Sequence, residues 1–324
     1  MKVSVIIPVY NAEKYIERCL DSIRGQSLDD YELIIVDDRS TDDSWNVINS
    51  YLNKYPGLSS RTVLLRNEEN SGSSATRTVG LNAARGEYVI QVDSDDFVAA
   101  NYLEKLVETA DRENADITIC EYYYVRDEIE RKQIKEPVDK DCLLSDILSG
   151  EIHGSLWNKL LKRSIVEEYN IRPLKGVDIL DDKSMIYKVV YYATSVAYVH
   201  SPLYYYNIGN PDSYTSRPID ETVKKAEQGY IRIVCDMHRF FAEHPVRQNV
   251  RDAFDMFRAF ILGLLLIHGN YKVVNENSRL FNHIKWHQIS QAIVPSYYKV
   301  MVAFYKIGLG RIVCLLNKIR SLLK

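Results

Sequence analysis

The sequence predicts an α/β protein, a doubly wound and mostly parallel sheet followed by a helical C-terminal extension. Three observations lead there. Short apolar runs bounded by turn residues alternate with stretches of helical periodicity through the first third of the chain. The runs are apolar at consecutive positions, as strands covered on both faces require. From about Ile219 onward the pattern is helical.

Residues 3–9 read as the first buried strand. A helix follows from about Ala12, with Asn11 as its N-cap and Ile16, Cys19, Leu20 and Ile23 as its inner stripe, and Gly25 ends it. Residues 33–36 form the next strand. Ser40 and Asp43 resemble a capping box ahead of a helix whose inner face is Val47, Ile48, Tyr51 and Leu52, and which Pro56-Gly57 terminates. Residues 63–65, 88–92 and 117–123 are further strands. They are separated by a helix over 74–84 and by one marked by Leu103, Leu106, Val107 and Ala110.

In such sheets ligands bind beyond the carboxyl ends of the strands, near the switch in strand order. Three polar clusters fall at those ends: Tyr10-Asn11, Asp37-Asp38, and Asp93-Ser94-Asp95-Asp96. Three carboxylates within four residues repel one another. A hard cation such as Mg²⁺ or Mn²⁺ removes that cost and commonly bridges carboxylates to substrate phosphates. A dinucleotide fold would need a glycine-rich turn after the first strand, whereas Pro8-Val9-Tyr10-Asn11-Ala12-Glu13 has none, and no P-loop is present.

The composition is that of a soluble globular protein, 46% hydrophobic and 26% charged over 324 residues, and the formal net charge of −3 gives no global signal for nucleic acid. Five scattered cysteines without a CxxC spacing fit a reducing compartment and no zinc site. The first residues lack a signal-peptide pattern, and the longest uncharged apolar run, 259–271, is shorter than the roughly 20 residues a bilayer requires. The expectation is a cytoplasmic protein, or a peripheral one on the cytoplasmic face of a membrane.

Five motifs now stand in order: Ile6-Ile7-Pro8-Val9-Tyr10-Asn11, Ile34-Ile35-Val36-Asp37-Asp38-Arg39-Ser40-Thr41-Asp42, Asn70-Ser71-Gly72-Ser73-Ser74-Ala75-Thr76-Arg77, Ala84-Arg85-Gly86-Glu87-Tyr88, and the acidic cluster. Together they resemble the family 2 glycosyltransferases of GT-A fold, tightly over residues 1–125 and more loosely to about 217. The resemblance implies a GT-A-type catalytic domain over 1–217, with a nucleotide-sugar-binding half (1–125) and an acceptor half (126–217), then a helical region over 218–324. It implies a hexosyltransferase that inverts the anomeric carbon, taking its sugar from a nucleotide-diphosphate donor, UDP-linked, in surface polysaccharide or glycan synthesis. A non-catalytic sugar-nucleotide-binding protein of the same fold is the alternative; it would bind donor without turnover.

By the same resemblance, Pro8, Val9, Tyr10 and Asn11 line the nucleotide pocket, Asp38 accepts a hydrogen bond from the base, and Arg77 lies near base and diphosphate. Asp93 contacts ribose or metal, Asp95 is the direct ligand of Mg²⁺ or Mn²⁺, and Asp96 supports it. Thr78 departs from the asparagine usual after the arginine. Transfer to a hydroxyl also needs a base facing the anomeric carbon. The family's acidic pair before a helix corresponds to Asp181-Asp182, which makes Asp182 the base and Asp181 its support; N-capping by Asp181 is the alternative, and Asp178 is a weaker candidate. Within Leu156-Trp157-Asn158-Lys159, Trp157 could stack on a sugar and Lys159 could neutralise diphosphate, or both could be packing or surface residues. Residues 202–206 resemble the closing strand of the catalytic domain. Most of the 24 tyrosines read as sheet packing, and His200 as a strand-edge residue outside the site.

After Glu276 the chain has no acidic residue. Ile312, Leu315, Leu316, Ile319, Leu322 and Leu323 form one stripe, with Arg311, Lys318 and Lys324 elsewhere. A basic amphipathic helix suits an anionic membrane surface, and docking on its own domain is the alternative. The expected acceptor is a saccharide or a lipid-linked saccharide, for which membrane contact would be useful.

Overall fold

The computed structural model describes residues 1–126, 129–134, 136–211, 213, 218–268, 271–291, 296–310 and 312. The chain begins β1 (Val3–Val9), α1 (Ile16–Arg24), β2 (Tyr31–Asp37), α2 (Ser44–Lys54), α3 (Pro56–Ser59), β3 (Thr62–Arg66), α4 (Ser73–Ala83) and β4 (Tyr88–Gln91). It continues through β5 (Phe97–Val98), α5 (Tyr102–Glu113), β6 (Ile117–Val125), β7 (Ile129–Lys132), α6 (Lys140–Ser149), β8 (Lys159–Lys162), α7 (Arg163–Glu168), α8 (Asp181–Tyr192) and β9 (Val196–Asn207). The helices α9 (Ile219–Glu243), α10 (Gln248–His268), α11 (Tyr271–Glu276), α12 (Trp286–Gln291) and α13 (Ser296–Lys306) complete it.

Two compact units result, Met1–Glu136 with Ser155–Ser213, and Pro137–Gly154 with Tyr214–Lys324. The first holds the sheet, in the order β3-β2-β1-β4-β8-β6-β9-β5 with β7 paired to β6. β3, β2, β1 and β4 are parallel to their neighbours, as is β6 to β9; β8 is antiparallel between β4 and β6. Every residue of β2 is buried, and β1 is buried at all but one position, which accounts for their unbroken apolar runs. Strand order reverses beside β1, so the carboxyl ends of β1, β2 and β4 share one edge.

α1 begins later than the sequence suggests, because residues 12–15 form a turn in which the Tyr15 and Ile16 N–H groups donate to the Ala12 carbonyl. Asn11 is therefore not its cap. The predicted capping box at Ser40 and Asp43 is replaced by Asp42, whose carboxylate accepts from the Ser44 N–H and hydroxyl at the start of α2. Residues 137–154, expected inside the 126–217 half, belong to the helical unit. The reason is packing: Leu143, Leu144, Ile147 and Leu148 of α6 are buried and the helix lies against α10. In that unit α10 touches α6, α9, α11, α12 and α13. The stripe residues Leu315, Leu316, Ile319, Leu322 and Leu323, with Arg311, Lys318 and Lys324, lie outside the described residues.

The Arg85-Gly86-Glu87 motif serves the sheet. The Arg85 and Gly86 N–H groups donate to the Ser4 hydroxyl (3.1 and 2.8 Å), which itself donates to buried Glu32 (2.6 Å). A Cβ at Gly86 would lie 2.6 Å from the backbone nitrogen of Ser4. Gly86→Ala is therefore expected to destabilise the sheet unit by about 2 kcal/mol, within the range for overpacking a rigid site. Denaturant unfolding followed by tryptophan fluorescence checks this; an unchanged midpoint would mean that the backbone yields there.

Candidate functional site

The site is built first at the β1–β2 edge. Pro8 pairs with Val36 and Val9 with Asp37, and the Asp38 N–H donates to the Val9 carbonyl (2.8 Å). Asn11 adopts a left-handed backbone (φ 50°), and its side-chain oxygen accepts from the Thr41 N–H (2.8 Å), tying the turn after β1 to the loop after β2. Tyr10 is left exposed above this edge. The two acids after β2 divide. Asp37 is buried against Arg66 (2.9 Å) and accepts from the Ser40 N–H. Asp38 accepts from the Ser71 and Gly72 N–H groups (2.9 Å each) and from Asn67 (2.7 Å). Asp38 thus holds the loop leading into α4. In that loop Gly72 has φ 84°, and a Cβ there would strike the Asp178 carboxylate at 2.3 Å. Asp178 itself accepts from the Ser74 N–H and hydroxyl (3.3 Å each), so it sits over the start of α4.

The acidic cluster after β4 also splits by role. Asp96 is fully buried: it accepts from the Tyr204 hydroxyl (2.6 Å) and the Asn207 N–H (2.7 Å). Burial, then the charges of Asp95 and Asp93, drive its carboxyl far above the usual range. Asp96 is therefore a structural acid, and its expected support of a metal is corrected: both its oxygens point into the β9 contact. Tyr204 closes the turn by also accepting from the Asp93 N–H (3.1 Å). Asp95 accepts from Asn210 (2.7 Å), and its backbone carbonyl accepts from Arg18 (2.8 Å). Burial pushes the Asp95 carboxyl upward, and the Asp93 charge adds to that.

Arg77 joins the two halves of the unit. Its buried guanidinium donates to Asp93 (2.9 Å), Asp181 (2.9 Å) and the Gln91 side chain, and its Nε lies 3.4 Å from Asp182. Burial opposes the charge, but Asp182, Asp93 and Asp181 outweigh it and hold Arg77 protonated well above the ordinary range. Leu180, left-handed at φ 64°, turns the chain directly ahead of Asp181 and Asp182, a conformation that costs a non-glycine residue on the order of 1 kcal/mol. Asp181 opens α8, yet its carboxylate binds Arg77, and no side chain caps the helix.

Asp182 is the distinctive group. One oxygen accepts from the Leu156 N–H (3.3 Å); the other is the one 3.4 Å from the Arg77 Nε, buried and without a hydrogen bond. Burial pushes its carboxyl up to about 7, Arg77 pulling it down while Asp181 and Asp93 push further up. A carboxylate oxygen free of hydrogen bonds, on a group held near neutrality, is what a general base requires.

For two residues of the acceptor half the structure favours packing over a site role. Trp157 is buried and stacks on Tyr204 (centroids 4.3 Å) and Tyr206 (5.2 Å), so its faces are taken by tyrosines and not by a sugar. Lys159 is fully buried, donating to the Ser155 carbonyl (2.9 Å) and the Asn158 side chain (2.7 Å). Burial lowers its ammonium to about 7, so it is no diphosphate counter-ion. Sequence reasoning passed over Asn67, Tyr204, Asn207 and Asn210, which hold the site's acids, and Gln91, which accepts from Arg77. For Tyr204 the signal lay in the Tyr204-Tyr205-Tyr206 triplet, whose middle residue faces the opposite side of the strand.

A divalent cation fits the chemistry of this edge. Asp93 and Asp95 offer oxygen donors alone, two residues apart past the end of β4, and a cation there would offset the repulsion between them. Among the described residues no three His, Cys, Asp or Glu side chains form a ligand set. A site completed by substrate phosphates, the habit of Mg²⁺, suits one or two carboxylates.

Known proteins share this arrangement. The family described as "Glycosyl transferase family 2" matches residues 4–169. The putative glycosyltransferase EpsH of Bacillus subtilis is 29% identical over 87% of this chain and 81% of its own length. The poly(ribitol-phosphate) beta-glucosyltransferase of Bacillus spizizenii is 30% identical over 67% of this chain, which spans 34% of that protein. In structure, S. aureus TarS 1-349, solved in complex with UDP-GlcNAc, superposes with a TM-score of 0.68 at 19% identity, over all of this chain and 93% of that one. The mannosyltransferase PcManGT of Pyrobaculum calidifontis, with GDP-Man and Mn2+, gives 0.58 at 16% identity, over 99% and 87% of the two chains. The ordered motifs, the GT-A sheet and the matched span agree: the chain is a glycosyltransferase, a member of glycosyl transferase family 2.

Proposed function

We propose that this glycosyltransferase moves a hexose, with inversion, from a UDP-linked donor to a hydroxyl of a saccharide or lipid-linked saccharide in surface polysaccharide synthesis. The observation that carries the reading is the Asp182 carboxylate, buried beside Arg77 with one oxygen free of hydrogen bonds and pushed up to about 7. The UDP-GlcNAc complex of TarS favours a UDP donor, and the poly(ribitol-phosphate) beta-glucosyltransferase favours a surface-glycan acceptor.

Asp182 takes the proton of the acceptor hydroxyl as its oxygen bonds to the anomeric carbon, and the diphosphate departs from the opposite face with the bonding pair. Arg77 holds Asp182 in register with Asp93, so the acceptor and donor sides share one anchor. Pro8 to Asn11 and Asp38 shape the nucleotide side, Asp38 through the Ser71-Gly72 backbone it holds. Asp95 and Asp93 would hold Mg²⁺ or Mn²⁺, which when bound offsets charge on the departing diphosphate.

Asp182→Asn keeps volume but accepts no proton, so turnover should fall by about 10²- to 10⁴-fold with donor affinity little changed. The folded-state carboxyl of Asp182 lies above its unfolded value, so its stabilising contribution is present at low pH and lost as pH rises toward 7. At pH above about 7 the Asn variant should therefore melt no lower than the unaltered chain. Retained turnover, or a strongly lowered melt there, would remove Asp182 from this role.

Asp95→Asn tests the donor side. UDP should bind the unaltered chain much more tightly with Mn²⁺ or Mg²⁺ than without, and the variant should lose most of that gain. Calorimetry giving equal UDP affinity with and without the cation would contradict the assignment.

A further inference from the structure

The helix α13 is apolar on two sides. Tyr298 and Val302 are buried, Tyr298 against α10 so closely that a Cβ at Gly263 would lie 2.8 Å from its ring. On the other side Tyr297, Val300, Phe304 and Ile307 are 49%, 48%, 40% and 59% exposed. Steps of three, four and three residues keep these four within about 80° around a helix of 3.6 residues per turn. Ile307 continues the strip past the helix end, its N–H still donating to the Ala303 carbonyl. Leu309 and Ile312, past the left-handed Gly308, and Trp286 of α12 are exposed as well. A surface helix ordinarily turns polar residues to water. Isolated exposed apolar residues need no explanation, but a continuous row marks a contact surface.

Charge identifies the contact. Residues 277–324 contain eight lysines and arginines and no aspartate or glutamate, in a chain whose net charge is −3. Lys299 and Lys306 lie on α13 itself, their ammonium groups donating to the Ser290 and Ile284 carbonyls, while Arg279 and Lys285 are exposed ahead of it. A second copy of the chain would bring two such basic segments together, which repel. An anionic surface would attract them. Among the described residues no helix is long and apolar enough to cross a membrane, so the contact would be peripheral.

We propose that α13 docks on an anionic bilayer, with Tyr297, Val300, Phe304 and Ile307 entering the headgroup–acyl boundary and the basic charge of the segment 277–324 drawing it to lipid phosphates. This surface is independent of the glycosyl-transfer chemistry and would bring the protein to lipid-borne material.

Cosedimentation of the full chain with vesicles is the test. On equimolar phosphatidylcholine–phosphatidylglycerol the bound fraction should be several-fold higher than on phosphatidylcholine alone. It should fall several-fold as NaCl rises from about 0.1 to about 1 M and the Debye length shrinks from about 10 to about 3 Å. The double variant Phe304→Asp/Ile307→Asp should lose that binding while keeping UDP affinity; should it not fold, the milder Val300→Ser/Phe304→Ser is expected to weaken binding in the same direction. No binding of the unaltered chain to the anionic vesicles overturns the proposal, as does equal binding to both vesicle types or a folded variant that binds like the unaltered chain. A dimer seen by light scattering and abolished by the same variant, with no vesicle binding, would assign the strip to a second copy instead.

Discussion

One buried guanidinium organises this catalytic unit. Arg77 stands on α4, within reach of Asp93 past the end of β4 and of Asp181 and Asp182 at the start of α8. A single cation cannot neutralise three carboxylates. Burial, with the charges of Asp181 and Asp93 adding to it against Arg77, is what raises Asp182 toward neutrality, where a carboxyl can exchange a proton. Such a cluster is costly to bury and is weak evidence for stability. Its value lies in joining three elements distant in sequence around one point.

The remaining acids are divided by the hydrogen bonds each is offered. Asp37 and Asp96 face inward and fix turns. Asp38 grips the Ser71-Gly72 backbone, and Asp95 stays at the open edge with Asn210. Tyr204 is central to this division, linking the Asp93 backbone to the Asp96 carboxylate while its ring stacks on Trp157. The aromatic cluster thus has a mechanical role: it sets the turn from which Asp93 and Asp95 project.

Much of this was legible in the sequence because strand ends and helix starts carry local signals. The consecutive apolar runs of β1 and β2 marked buried parallel strands, and the acids after β2 and β4 marked the edge where they converge. Partners were the illegible part. Nothing local distinguishes Asp95 from Asp96: their difference comes from Tyr204, Asn207 and Asn210, more than a hundred residues away. Trp157 and Lys159 stayed open between two readings for the same reason, since a tryptophan among tyrosines and a buried lysine look the same in sequence as a sugar platform and a surface cation. The strand β8 went unseen because only Leu160 and Leu161 of its four residues are apolar, between two lysines, and the placement of α6 in the helical unit depends on α10, far downstream.

The central claim is that Asp182, poised by burial and by Arg77, is the group whose ionisation permits transfer. The most direct measurement is kcat/KM against pH, which reports the free enzyme. Asp182 must be ionised to accept a proton, so the rate should climb tenfold per pH unit below its carboxyl value of about 7 and level off above it. Arg77 favours the ionised form, so in Arg77→Gln the same limb should move to higher pH. A profile flat from about pH 5 to about pH 9, or a limb that stays in place without Arg77, would contradict the account.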